Sequence, residues 1–210
     1  MGKEIILMDG QNLFYHLRKL HLQGEKIQWR RYFAFLLQPG NELHKAYLFR
    51  PGKLQDRCCT PKSNVLSESW LLRRQGLFAE EENYFDSIGR KNPDIQIVKA
   101  GVLQVDSAMR QYVGEKGVDL ALATKMISSG RQNSGGRILL MSGDYDYGEA
   151  IDLARTNGTK VHVVKIHEDP PEGIKTLPRA PVVIGDKEIN LYASWIRSGF
   201  LWEERITVKH

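Results

Sequence analysis

Short apolar runs alternate along this chain with longer stretches of helical apolar spacing. Lys3 to Met8 is one such run, closed by Asp9-Gly10, and "KAYLFR" (45–50) is a second, stopped by Pro51-Gly52. "IQIVKAG" (95–101), residues 137–142 and "KVHVVKI" (160–166) complete a set of five expected strands. Between them, "QNLFYHLRKLHL" sets Leu13, Leu17 and Leu20 on one helical face, and "WRRYFAFLL" (29–37) reads as a helix stopped by Pro39-Gly40. Residues 53–64 read as a loop. "VLSESWLLRRQGLFAEEENYF" (65–85) has helical spacing with a break at Gly76. "KGVDLALATKMISS" (116–129) and "YGEAIDLARTNG" (147–158) are two further helices, and "RQNSGG" (131–136) is a loop. Strands spaced by helices predict an α/β fold with a mostly parallel sheet and helices on both faces.

After His167 the pattern changes. "EDPPEGIKTLPRAP" is a Pro-rich connection, and the following segment fits either strand or helix, with a hairpin around Gly185-Asp186. The expected division is therefore a domain at 1–167 and a C-terminal extension at 168–210 that packs on the domain or on a partner. Tyr192, Trp195, Phe200 and Trp202 read first as core, or as a contact with a second copy or a protein partner, and only then as a base-stacking platform.

At 210 residues the chain suits one sizeable domain, or one with an appendage. Its 30 Lys and Arg against 25 Asp and Glu give a net charge of +5, a mild lean towards a polyanionic partner. Cys58 and Cys59 are adjacent, which suits neither a mutual bridge nor a zinc site. No apolar run approaches a membrane span, and Ile6 stands where myristoylation wants Ser or Thr. A soluble, cytoplasmic protein with no membrane partner is expected.

The chemistry gathers where strands end. In "ILLMSGDYDYGEAI" (138–151) an apolar strand stops at Ser142-Gly143 and delivers Asp144 and Asp146. Carboxylates beside buried backbone are costly unless something neutralises them. The first strand likewise ends in Asp9, and ligands of open parallel sheets bind outside the carboxyl ends of the strands. Asp119, at the start of an apolar helix, either caps that helix or joins the same edge. Crowded carboxylates raise one another's pKa, and a hard divalent ion such as Mg²⁺ or Mn²⁺ relieves them. Asp9, Asp119, Asp144 and Asp146 are thus the candidate metal ligands.

"ILMDGQNLF", "KGVDLALATKMI" and "RILLMSGDYDYGEAI" together resemble, in order and spacing, the NYN domain family, a branch of the PIN-like nuclease superfamily. The resemblance spans roughly residues 3–166 as a pattern. It implies a Rossmann-like three-layer PIN/NYN fold with strand order 3-2-1-4-5, and metal-dependent cleavage of RNA. Carried onto this chain, it assigns Asp9, Asp119, Asp144 and Asp146 as ligands and Asn12 as the polar residue that orients them. The chain departs from the family pattern at Lys125, where another Asp is frequent, at Tyr145, and at Tyr147, where Phe is common. A lysine at 125 aimed inward would weaken a second metal site.

A metal-activated water would attack a phosphodiester and leave a 5′-phosphate and a 3′-hydroxyl, so a metal-dependent ribonuclease is expected, with an endoribonuclease as the first hypothesis and endo versus exo action left open by the sequence. Lys116 is a candidate contact for the scissile phosphate, and Arg30 and Arg31 for the backbone; solvated surface is the plainer reading of each. Scattered histidines argue against zinc, and neither G-x-G-x-x-G after a strand nor G-x-S-x-G is present. An aspartyl phosphatase would want an acid where Gln11 stands. The alternatives are a catalytically weak RNA-binding module and a regulatory protein built on the same scaffold.

Overall fold

A computed structural model describes residues 2–22, 26–58, 65–132, 135–168, 182–184 and 187–201. The chain runs β1 (Lys3–Asp9), α1 (Gly10–Lys19), α2 (Trp29–Leu36), β2 (Glu42–Arg50), β3 (Lys53–Asp56), α3 (Val65–Lys91), β4 (Ile95–Lys99), β5 (Val102–Asp106) and β6 (Gln111–Lys116). It continues through α4 (Val118–Gln132), β7 (Arg137–Met141), a 3₁₀ turn at Tyr145–Tyr147, α5 (Gly148–Thr156), β8 (Lys160–His167), β9 (Val182–Ile184), β10 (Glu188–Tyr192) and α6 (Ala193–Phe200).

The main sheet has the order β4-β2-β1-β7-β8-β10-β9, parallel throughout except for the edge pair β10–β9. Period-two alternation in β1 divides the interior. Ile6 and Met8 enter a core shared with Leu13 and Leu17 of α1, Trp29 and Phe33 of α2, and Trp195 and Phe200 of α6. Ile5 and Leu7 enter the opposite core, with Val118, Leu122 and Met126 of α4 and Ala150 and Ala154 of α5. Three layers result: helix, sheet, helix. The α/β expectation therefore holds. Tyr192, Trp195 and Phe200 are buried in the first core, and β10 pairs in parallel with β8. Trp202 and the Gly185-Asp186 hairpin lie outside the described residues.

A buried ion pair fixes the amino edge of the sheet. Arg137 at the start of β7 donates to Glu4 Oε2 of β1 at 3.0 Å and to the Leu36 carbonyl at 3.0 Å. Glu4 Oε1 accepts from the Gln38 N–H at 3.0 Å and from Asn41 Nδ2 at 2.7 Å. Every polar atom of that carboxylate is thus engaged, which is what a buried charge demands.

The carboxyl edge carries an unexpected second sheet, in the order β3-β5-β6. The supposed loop at 53–64 begins with a strand, β3, which extends β2 past the bend at Pro51-Gly52. β5 extends β4 past Ala100-Gly101 in the same way, and β3 pairs with β5 in parallel just as β2 pairs with β4. β6 returns antiparallel to β5 and delivers the chain to α4. Gly101 (φ +65°) makes that crossing possible: a Cβ there would lie 2.1 Å from the Lys116 carbonyl. Beside this sheet α3 runs unbroken for 27 residues, so Gly76 is no break. That helix is about 40 Å long, against about 17 Å for β4, and its amino-terminal half overhangs the carboxyl edge.

Candidate active site

Asp9 closes β1 and caps α1. Its Oδ1 accepts the Asn12 N–H at 3.0 Å, satisfying one orphan donor of the helix. Gly10 follows because a Cβ there would sit 2.4 Å from the Phe49 carbonyl of β2. Oδ2 of Asp9 accepts from Ser142 Oγ at 3.2 Å and lies 3.3 Å from the Tyr147 hydroxyl. At 5% exposure Asp9 is buried, and that burial raises its pKa above the ordinary 3.8. The Asn12 bond pulls it down, the Asp119 charge pushes it up, and the Ser142 and Tyr147 bonds lower it again.

Asp119 sits on the first turn of α4, on the carboxyl side of the sheet, and its Oδ1 accepts the Tyr147 hydroxyl at 2.8 Å. Tyr147 thereby joins β1 to α4 through their carboxylates. Burial and these two charges push the phenol pKa upward, so it remains a donor. Asp144 and Asp146 are exposed and engaged locally: Asp144 Oδ1 accepts the Asp146 N–H at 3.0 Å, capping the 3₁₀ turn. The Asp144 N–H donates to Ser142 Oγ at 3.1 Å, which links this loop to Asp9 through one hydroxyl. Asn12 ties the same loop down, its Oδ1 accepting the Gly143 N–H at 3.2 Å rather than its amide meeting a carboxylate.

Two further acids complete the edge. Glu115, on β6 just before Lys116, is pushed up to about 8 by burial and by the charges of Asp9, Asp119 and Glu81. Its Oε1 and that of Glu81 on α3 are buried with no hydrogen-bond partner. Burial also raises the Glu81 pKa, while Arg50 lowers it. Neither acid was legible as a site residue without the hairpin of β5 and β6; the nearest signal was "GEKGVD", which sets an acid four residues ahead of Asp119.

The basic candidates divide. Lys116 is exposed beside Glu115 at this edge. Arg30 and Arg31 instead line a depression with Asn92, next to the amino end of β4, so the structure does not bring them to the aspartates. Lys125 lies over the Tyr47 ring at 4.2 Å, and Tyr47 pairs with Leu7, two residues back from Asp9. Its charge is spent on that ring, below the edge.

Among the described residues no group of three His, Cys, Asp or Glu side chains stands close enough to hold a metal ion. The donor set nevertheless fits a hard cation in its chemistry. Asp9, Asp119 and Glu115 are oxygen donors on one edge: burial and the Asp119 charge raise the Asp9 pKa, burial and the charges of Asp9 and Asp119 raise that of Glu115, and Glu115 has a buried oxygen without a partner. No helix among the described residues is long and apolar enough to cross a membrane.

Comparison with known proteins returned no matching curated protein and no matching solved structure. The family model of the NYN domain matches residues 3–177, which takes in β1 through β8 and every acid described above. By that match the chain belongs to the NYN domain family, within the PIN-like nucleases.

Proposed function

We propose that the chain is a divalent-metal-dependent endoribonuclease whose centre is the acid cluster at the carboxyl edge of the main sheet. The observation that carries this reading is the sharing of one phenolic hydroxyl by Asp9 and Asp119, with Glu115 unpaired beside them. Asp9 and Glu115, whose ionisation is opposed by burial and by neighbouring carboxylates, are costly to stability, and a bound cation relieves that cost. Asp9, Asp119 and Glu115 would hold Mg²⁺ or Mn²⁺, with Asp144 and Asp146 reaching in from the adjoining turn. Such an ion, when bound, supplies a low-pKa water and neutralises developing phosphate charge.

The chain's own groups supply the frame. Ser142 and the Asn12 N–H hold the Asp9 carboxylate in one orientation, and Asn12 Oδ1 fixes the loop that bears Asp144. Tyr147 holds the Asp119 carboxylate, so α4 and β1 keep their spacing. Lys116 stands where an incoming phosphate would pass. Attack by water leaves a 5′-phosphate and a 3′-hydroxyl. The test is incubation of the protein with single-stranded RNA and Mn²⁺, repeated with Asp119→Asn and Asp144→Asn. Internal cleavage that both variants lose supports the reading, and equal cleavage by all three proteins rejects it.

One observation favours a second reading, an RNA-binding module with weak turnover: no three acids among the described residues are already within reach of one ion. Lys125 gives that reading no support, since Tyr47 holds it. Tight RNA binding without metal-dependent products would select it.

A further inference from the structure

Next to the acids, α1 and α3 face each other across a groove of about 470 Å³ whose remaining wall is the small sheet. Helical spacing builds it. Phe14, Tyr15 and Arg18 project from one face of α1, and Arg74, Leu77 and Glu81 from one face of α3. Tyr112 of β6 closes the far side, its hydroxyl 3.5 Å from Gln11 Oε1. The groove therefore adjoins the acid cluster directly: Gln11 lies two residues from Asp9, Tyr112 three from Glu115, and Glu81 belongs to both.

Its lining differs in exposure from the aromatic residues buried elsewhere among the described residues. Tyr32, Tyr147 and Trp195 are buried, whereas Tyr15 is 57% and Tyr112 50% exposed. Phe14 meets Tyr15 edge-on at 5.7 Å and Tyr84 at 5.1 Å, so the wall behind Tyr15 is itself packed. Arg18 is exposed, and Arg74 lies over the Trp70 ring at 5.0 Å. Among the described residues neither arginine is in an ion pair. Glu80 and Glu81 also line the groove.

We infer that this groove receives unpaired bases of a single-stranded RNA whose sugar-phosphate backbone passes over the acid cluster. The inference rests on the ribonuclease reading and names the form of its substrate. Charge selects the occupant. With two guanidiniums balanced by two carboxylates, the floor has no net charge to draw in a run of phosphates but accepts flat, neutral, polar-edged rings. Half-exposed tyrosines offer those rings a stacking face, and the Gln11 amide and the arginines offer partners to base edges and flanking phosphates. A duplex keeps its bases inside and presents only phosphate, so it has nothing to place here. An apolar peptide would leave Arg18, Arg74 and both glutamates without partners.

The test separates binding from cleavage. A fluorescein-labelled twelve-nucleotide RNA of mixed sequence, and the same strand annealed to its complement, are titrated by anisotropy in EDTA, where no metal-dependent turnover occurs. The single strand is expected to bind at least tenfold more tightly than the duplex. Tyr15→Ala combined with Tyr112→Ala is expected to lose on the order of tenfold to a hundredfold for the single strand, and the paired Phe variants to recover it. Equal affinity for the two RNA forms, or an Ala variant that binds like the unaltered protein, overturns the inference. If the Ala variant does not fold, 5-iodouridine RNA photocrosslinked to the unaltered protein decides: adducts on the Tyr15 or Tyr112 peptides support the groove, and adducts only elsewhere overturn it. Selective binding by a protein that never cleaves RNA sinks the nuclease reading and leaves the groove standing.

Discussion

The hydroxyl of Tyr147 stands 2.8 Å from Asp119 Oδ1, so a phenol at the end of the 3₁₀ turn holds a carboxylate on α4. The same oxygen is 3.3 Å from Asp9, yet it has one proton to give. Asp119 has the shorter contact and takes the larger share of that proton, while Asp9 draws its other bonds from Ser142 and the Asn12 N–H. Phe at this position would keep the packing and lose the link.

Tyr147→Phe is accordingly expected to cost stability. Asp119 is exposed, so water replaces part of the lost bond and the cost is about 0.5–1.5 kcal/mol, and for a chain this size each kcal/mol moves Tm by roughly 2–4 °C. Thermal unfolding followed by circular dichroism checks it. RNA cleavage should fall with it, on the order of tenfold, as is usual when a group that orients a metal ligand is removed. An unchanged Tm with unchanged cleavage would show the hydroxyl to be idle.

Asp9→Asn is expected to separate stability from activity. The folded-state pKa of Asp9 is raised, so its ionisation opposes folding: the favourable contribution is complete below about pH 3.8 and is lost as pH climbs through the raised value. Removing the charge therefore leaves Tm at pH 7.5 no lower than that of the unaltered protein, while cleavage drops on the order of a hundredfold or more. A variant markedly less stable than its parent would contradict this reading of the site as a stored electrostatic cost.

Glu115 gives the clearest pH dependence. Its pKa rises from 4.5 to about 8 on folding, again in the direction that favours the protonated form. Stability is therefore full below pH 4.5 and declines as pH rises towards about 8. Solvent reaching this half-buried residue moderates the effect. In EDTA, Tm should fall between pH 5 and pH 8, and Glu115→Gln should flatten that fall by at least a few degrees. Mn²⁺ added at pH 8 should recover Tm in the unaltered protein more than in the variant. A Tm profile identical in the two proteins removes Glu115 from the cluster.

At the opposite edge, Arg137→Leu tests the frame alone. It strands Glu4, which is fully buried, and breaking one side of a buried pair costs about 3–5 kcal/mol. Tm should fall by roughly 10 °C, with the cleavage rate per folded molecule unchanged at low temperature. A change in cleavage greater than the loss of folded protein would tie that edge to the chemistry.

Much of the frame was readable because β1 and β7 are short apolar runs buried on both faces, with the apolar runs of β2, β4 and β8 beside them, and such runs stand out from their surroundings. The second sheet was not, since "KLQD", "VLQVD" and "QYVGEK" are half-exposed, polar-rich strands stabilised by each other and by the bends that aim them. Glu115 was hidden with them. Gly76 misled because glycine costs a helix only about 1 kcal/mol, and a Cβ there would meet nothing within 4 Å. Asp9 and Asp119 could be named from strand-end and helix-start positions, but the means of joining them could not. Tyr147 reads in sequence as a replacement for Phe, and only the turn that folds it back over β1 reveals the hydroxyl between two acids.

Everything proposed for the chemistry depends on acids from β1, α4 and β6 drawing together around one divalent cation. Electron paramagnetic resonance of free Mn²⁺, titrated with the unaltered protein and with Asp9→Asn and Glu115→Gln, measures this without any substrate. Saturable binding that weakens at least tenfold in each variant is expected. Binding that is absent, or of equal strength in all three proteins, contradicts the account.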